Sequence, residues 1–209
     1  MKILTFPIGP LETNCFLVHT DKEAVAVDPG GKPGKVVAYL NTHKLTLTHI
    51  LCTHLHFDHT IGIHDLVEAT GAKVLASKAD SYMLDSELGR GGIWGIPPVE
   101  PYEFEGIEPG EHRFLGTPCK VLPTPGHTPG GLSFYFPAVK AVFSGDALFY
   151  RSIGRSDFPG GDQDVLLASI REQLFSLPED TEVYAGHGLA TSIGDEKRNN
   201  PYAGDFKRF

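Results

Sequence analysis

Apolar residues in this chain come in short runs, and glycine and proline are unusually frequent between them. The uninterrupted stretches reach only about four residues, as in Ala24-Val25-Ala26-Val27, against the ~20 that a membrane span requires. Gly (24) and Pro (16) together make 40 of 209 residues, about 19% against a background of roughly 12%. They follow no fixed period, which excludes a collagen-like rod and points to many turns and shaped loops.

The runs alternate between strand and helix character. Lys2–Ile8, Asn14–His19 and Ala24–Val27 read as strands, with a hairpin turn at Thr20-Asp21-Lys22-Glu23. Asp28-Pro29-Gly30-Gly31 ends the third strand in strong turn chemistry. Lys35–His43 has helical spacing, Thr48–Thr53 is a strand, and Ile63–Thr70 is a helix that Gly71 can stop. Lys73–Ala76 reads as a strand and Ala79–Glu87 as a short helix. Gly89 to Pro109 is irregular, either a pocket wall or a surface crossover. Cys119–Thr124, Leu132–Phe136, Ala141–Ser144 and Glu182–Ala185 are further strands. Asp164–Leu177 is the clearest helix, with Leu166, Ile170, Leu174 and Leu177 on one face and Asp162 or Asp164 as cap. The tail from Ile193 is polar. An opening hairpin argues for a mixed α/β sheet system rather than a purely parallel one, and the length suits a single domain over residues 1–209.

The formal net charge is −8, and no run of basic residues offsets it. A nucleic-acid partner is not expected, because phosphate binding needs clustered Lys and Arg. The start has neither a basic n-region nor a long apolar segment, so no secretory leader and no membrane association is expected there. Cys15, Cys52 and Cys119 are odd in number and widely spaced, which suits reduced thiols in the core of a cytoplasmic protein. Trp94 and the terminal aromatics Phe206 and Phe209 are candidates for a homodimer contact.

Chemistry concentrates in His54-x-His56-x-Asp58-His59, four metal-competent side chains within six residues, directly after an apolar strand. Imidazole nitrogen and carboxylate oxygen suit zinc, iron and manganese. Three more metal-type residues stand beside glycine at the ends of apolar runs: His127 in a Gly/Pro turn, Asp146 after Gly145, and His187 after Gly186. The remaining histidines, His19, His43, His49, His64 and His112, read as structural or solvent-facing.

The ordered set Asp28, His54-x-His56-x-Asp58-His59, His127, Asp146, His187 resembles the metallo-β-lactamase-fold superfamily over nearly the whole chain. Within it the chain is most similar to short proteins of the glyoxalase II (hydroxyacylglutathione hydrolase) group. Pro123 to Gly130 matches that group's ligand turn, and Gly154 to Asp162 is similar to the stretch after its shared aspartate. The resemblance implies an α/β fold, a four-layer αββα sandwich of the metallo-β-lactamase type. It implies one metal on His54, His56 and His127, a second on Asp58, His59 and His187, Asp146 bridging them, and Asp28 orienting the site. Two divalent ions are implied, zinc first, with iron or manganese as the alternatives.

Two metals about 3.5–4 Å apart turn a bridging water into a hydroxide nucleophile near neutral pH. A thiolate leaving group needs little protonation, because thiol pKa is about 8.5. The expected reaction is therefore hydrolysis of a small-molecule thioester such as S-lactoylglutathione, with Asp58 as the catalytic residue holding the attacking water. Tyr150 and Arg155 are candidate substrate contacts; Arg155 could instead pair internally with Asp157 or Asp162. The full-length group carries a C-terminal extension that grips glutathione, and only about twenty residues follow His187 here. The alternative reading is a mononuclear iron persulfide dioxygenase, which uses residues matching His54, His127 and Asp146. A β-lactamase, a nuclease and a scaffold that has lost catalysis fit the residues less well.

Overall fold

A computed structural model of the chain describes residues 1–93 and 95–205. The homodimer candidates Trp94, Phe206 and Phe209 lie outside the described residues. The backbone divides into two compact units, one of Met1–Ile107 with Phe114–Gly116, the other of Glu108–Arg113 with Thr117–Phe209.

The first unit is built on a six-stranded mixed sheet in the order β1-β2-β3-β4-β5-β6. Its strands are β1 (Lys2–Ile8), β2 (Thr13–His19), β3 (Glu23–Val27), β4 (Thr46–Leu51), β5 (Lys73–Ala76) and β6 (Glu105–Gly106). The first three are antiparallel neighbours; β3 to β6 run parallel. The Thr20 turn forms as expected, its hydroxyl accepting from the backbone of Lys22 and Glu23. Helix α1 (Gly34–His43) carries the β3-to-β4 crossover and buries Val36 and Leu40. Between β4 and β5 lie α2 (Phe57–Thr60) and α3 (Ile63–Thr70), which buries Ile63 and Leu66 and stops at left-handed Gly71. These side chains join Leu17, Ala26, Ile50 and Val74 in one core.

After β5 the expected helix at Ala79–Glu87 is instead a 3₁₀ segment, Lys78–Asp85, followed by the single turn α4 (Glu87–Arg90). Ser86 separates them: its extended backbone breaks the first, and its hydroxyl caps the second through Gly89 N–H. The irregular segment that follows leads from α4 into β6, and its Pro101 carbonyl accepts from His64 Nδ1.

The second unit holds a six-stranded sheet in the order β14-β13-β10-β9-β8-β7, and a small hairpin. The strands are β7 (Gly110–Phe114), β8 (Thr117–Pro123), β9 (Leu132–Phe136), β10 (Ala141–Gly145), the hairpin β11 (Leu148–Phe149) and β12 (Ser152–Ile153), β13 (Glu182–Ala185) and β14 (Thr191–Ser192). Strand β10 pairs parallel with β13 and antiparallel with β9. Helix α5 (Gln163–Ser169) is capped by Asp162, which accepts from Val165 N–H. It continues as a π turn, Ile170–Leu174. Its fully buried face of Leu166, Ile170 and Leu174 packs with Val142, Val183 and Ile193. The polar tail from Ile193 opens on a helix. This is α6 (Ile193–Asn199), capped by Ser192 through Asp195 N–H, and both Glu196 and Asn200 are wholly buried.

All three cysteines are free and buried, and burial raises each thiol well above the ordinary thiol range. A thiol reagent such as DTNB is therefore expected to titrate none of them in the native protein and three per chain in guanidinium. Fast native reaction of one thiol would contradict this packing.

Candidate metal centre

In the first unit, four donors follow the end of β4, where the chain leaves the sheet. His56 caps α2 with extended backbone, and Asp58 and His59 stand in its first turn. The His54 ring meets His56 edge-on at a centroid distance of 4.7 Å and lies 4.1 Å from the His59 ring. Asp58 Oδ2 is 3.7 Å from His59 Nε2. His54, His56, Asp58 and His59 are all buried.

Asp28 organises these rings. It ends β3 in the left-handed region, at φ 49°, where an aspartate is tolerated better than most residues. Its carboxylate accepts from Thr53 N–H at 2.8 Å, Thr53 Oγ1 at 2.6 Å and His59 Nδ1 at 3.0 Å. The Thr53 hydroxyl donates its only proton to Asp28, so it must accept from His54 Nδ1 at 3.0 Å. Both imidazoles thus carry their proton on Nδ1 and keep Nε2 as a candidate ligand atom, the arrangement by which hydrogen-bonded partners prepare a histidine for a metal. Gly30 lets the Asp28 turn close against α2: a Cβ there would lie 1.8 Å from the Asp58 carbonyl oxygen.

Asp28→Asn keeps the size but places an amide N–H where donors already converge. It is expected to weaken metal affinity about 10–100-fold, measured by competition with a chromogenic chelator. Unchanged affinity would remove Asp28 from the site.

In the second unit, three donors stand where strands of one sheet end. His127 lies in the β8–β9 turn, Asp146 directly follows β10, and His187 follows β13 by two residues. The parallel β10–β13 register shifts between Phe143 and Gly145, and Gly186 N–H donates to Gly145 C=O at 2.9 Å. That bond ties the two strand ends together. Asp146 Oδ2 is 3.7 Å from His127 Nε2 and also 3.7 Å from His187 Nε2. A carboxylate oxygen equidistant from two imidazole nitrogens, each too far for a hydrogen bond, has the spacing of donors that share ions.

His127 Nδ1 donates to the Arg155 carbonyl at 2.6 Å, so here too Nε2 is the candidate ligand nitrogen. Gly154 allows this approach, since a Cβ there would lie 1.8 Å from the Asp146 carbonyl. The Arg155 side chain makes a two-pronged pair with Asp157, 2.7 Å on each prong, and stacks 3.7 Å over Phe158. The guanidinium holds the Asp157 carboxyl down at about 2. Of the two roles open to Arg155, the structure displays the internal pair with Asp157. Tyr150 is half exposed at the tip of the β11–β12 hairpin.

Among the histidines outside the set, His19 bonds Thr20 C=O, His43 stacks on Tyr39, and His49 meets Phe114 edge-on. His112 bonds the Glu108 carbonyl. All four have structural roles. Sequence reading missed Thr53, which links His54 to Asp28; a hydroxyl beside the first ligand was the available signal.

A model of the metallo-beta-lactamase superfamily matches residues 8–187, which include every donor above. The chain belongs to the metallo-β-lactamase superfamily. Its α/β architecture, two mixed sheets with helices, is that of the superfamily's solved members. The crystal structure of the BLEG-1 B3 metallo-beta-lactamase superposes with a TM-score of 0.89 at 35% identity, covering 97% of this chain and 99% of that one. The crystal structure of TTHA1623 in a di-iron-bound form gives 0.86 at 40% identity, over 95% and 99%. The hydroxyacylglutathione hydrolase GloC of Haemophilus influenzae is 35% identical over 207 residues, 97% of this chain and 98% of the relative. The superfamily is one of metal-dependent hydrolases, and the His and Asp donors of each unit are of the kind that could hold such ions. Among the described residues no helix is long and apolar enough to cross a membrane.

Proposed function

We propose that this protein is a dinuclear metal-dependent thioester hydrolase acting on a substrate of the S-lactoylglutathione class. His54, His56 and His127 would hold one divalent ion, Asp58, His59 and His187 the other, with Asp146 shared. The observation that carries this reading is the position of Asp146, its Oδ2 at 3.7 Å from both His127 and His187. Two divalent ions held there would supply an acidified water and polarise an acyl carbonyl. The residues do the rest. Asp58 holds the attacking water and takes its proton. The Asp28 and Arg155 bonds keep three imidazoles in the ligating tautomer. Water oxygen bonds to the acyl carbon and the carbon–sulfur bond breaks, giving a carboxylate, a thiol and one released proton. Thiolate leaves readily, so the absence of a strong general acid costs little.

The GloC relative supports the thioester; the BLEG-1 relative makes a β-lactam the comparison substrate. The test is metal analysis of the purified protein together with turnover of S-lactoylglutathione, nitrocefin and glutathione persulfide. Two metals per chain with preferred thioester cleavage is the expected result. Two metals without thioesterase activity would overturn the substrate assignment. One iron per chain with oxygen consumption on the persulfide would replace it with the dioxygenase reading.

A further inference from the structure

The β11–β12 hairpin leaves the metal-binding strand end immediately after Asp146, and its two-residue tip is Tyr150-Arg151. Beside it lies a cavity of about 300 Å³ lined by Phe149, Tyr150, Ser152, His187, Gly188 and Leu189. His187 is thus both a wall of this cavity and a proposed metal ligand. The Phe149 ring lies 6.4 Å from the His187 ring. Leu189 is 72% exposed and Tyr150 50%, so their apolar surface faces solvent unless something covers it.

The tip is built to be stiff. Arg151 sits in the left-handed region, at φ 56°, a conformation that persists where surrounding contacts over-determine it. Those contacts come from α6. Glu196 accepts from Arg151 N–H at 3.0 Å and from its guanidinium at 2.6 Å, and Asp195 pairs with the same guanidinium at 2.7 Å. The guanidinium in turn lies 4.6 Å over the Tyr150 ring, a favourable cation–π position. Helix α6 therefore fixes Arg151, and Arg151 fixes the aromatic wall.

Among the described residues no Lys or Arg lines the cavity. Arg151 is committed to α6, and Arg155 to Asp157. The described lining thus offers no cation to a thiol carrier with free carboxylates or phosphates, whereas an uncharged hydrocarbon group finds three apolar walls and a volume suited to a phenyl or branched alkyl substituent. On the reading that the protein is a thioester hydrolase, we propose that Phe149, Tyr150 and Leu189 form the acyl pocket and select thioesters with a bulky apolar acyl group over small ones.

The matched probes are S-mandeloylglutathione and S-lactoylglutathione, which share the thiol and the α-hydroxyl and differ only in phenyl against methyl. The native protein is expected to favour the mandeloyl ester in kcat/KM by about tenfold or more. Leu189→Asp and Tyr150→Ser should collapse that ratio toward one, and Leu189→Phe should preserve or raise it. Both parent side chains are largely exposed, and melting temperatures check that each variant is folded. A ratio near one in the native protein, or a ratio that survives both polar variants, overturns the proposal. Binding of free mandelate against lactate, followed by saturation-transfer NMR, separates the two readings. Mandelate selectivity that Leu189→Asp abolishes upholds the pocket even if neither ester turns over, in which case only the hydrolase reading falls. Equal binding of both acids counts against the pocket.

Discussion

If the chain is the dinuclear thioesterase proposed above, Asp146→Asn is expected to lower bound metal from two ions per chain to one or none and to cut kcat/KM by about 10³-fold or more, some 4 kcal/mol of transition-state stabilisation. The side chain changes by one atom in kind and hardly in size, so packing around β10 should survive. What is lost is the charge between two imidazoles, His127 and His187, each 3.7 Å from the same oxygen. A neutral amide is a poor substitute for a carboxylate at a position that, under the proposed function, two cations would share. The prediction has a control that a merely structural aspartate would fail. Ligands that bind only the native state stabilise it in proportion to the logarithm of their saturation. Stripping metal with EDTA should therefore lower the melting temperature of the parent protein by several degrees, and much less in the variant. The two metal-free proteins should melt together. A variant that melts far below the metal-free parent would make Asp146 a folding residue. A variant that keeps both ions and full turnover would remove it from the centre.

The cluster after β4 was legible because its four metal-competent side chains fall within six residues. His127, Asp146 and His187 were legible because glycine marks the strand ends on which they stand. The long strands and the apolar helices were legible for the same kind of reason: β1, β5, β9 and α3 are periodic within themselves. Apart from β7 (Gly110–Phe114), whose glycine start and charged residues hid an alternating strand, what escaped has no local period. Strands β6, β11, β12 and β14 are two residues each, and their pairing is decided by the neighbour they meet rather than by their own side chains. Helix α6 contains Gly194 and four charged residues in seven, so it shows no apolar stripe. Only Ser192, three residues before Asp195, signalled a cap. Arg155 illustrates a further limit. Its side chain invited a role in substrate binding, yet its contact with the ligand set is through its carbonyl to His127, a group every residue possesses and no sequence pattern marks.

Glu196→Ala should be the most destabilising substitution in the C-terminal segment. The carboxylate is fully buried, and four donors reach it: Arg151 N–H, the Arg151 guanidinium, the Thr191 hydroxyl and the Asn200 amide. Removing one partner of a buried pair costs about 3–5 kcal/mol when the other is left buried. Arg151 is 31% exposed and retains Asp195, so water and the second carboxylate recover part of that, which sets the expectation at about 2–3 kcal/mol. For a chain of this size that is roughly 4–12 °C in melting temperature. Glu196→Gln should recover less than half, because its amide nitrogen meets donors where the second oxygen accepted them. Thermal melts of the metal-free proteins measure both without interference from the metal centre. A drop under about 1 °C for Glu196→Ala would mean that the four hydrogen bonds contribute no more than a surface network does. The same variant also frees the hairpin tip, because the left-handed Arg151 loses the contacts that hold it. If α6 stiffens the wall that Tyr150 provides, discrimination between acyl groups should fall along with stability, even at temperatures where the variant remains folded.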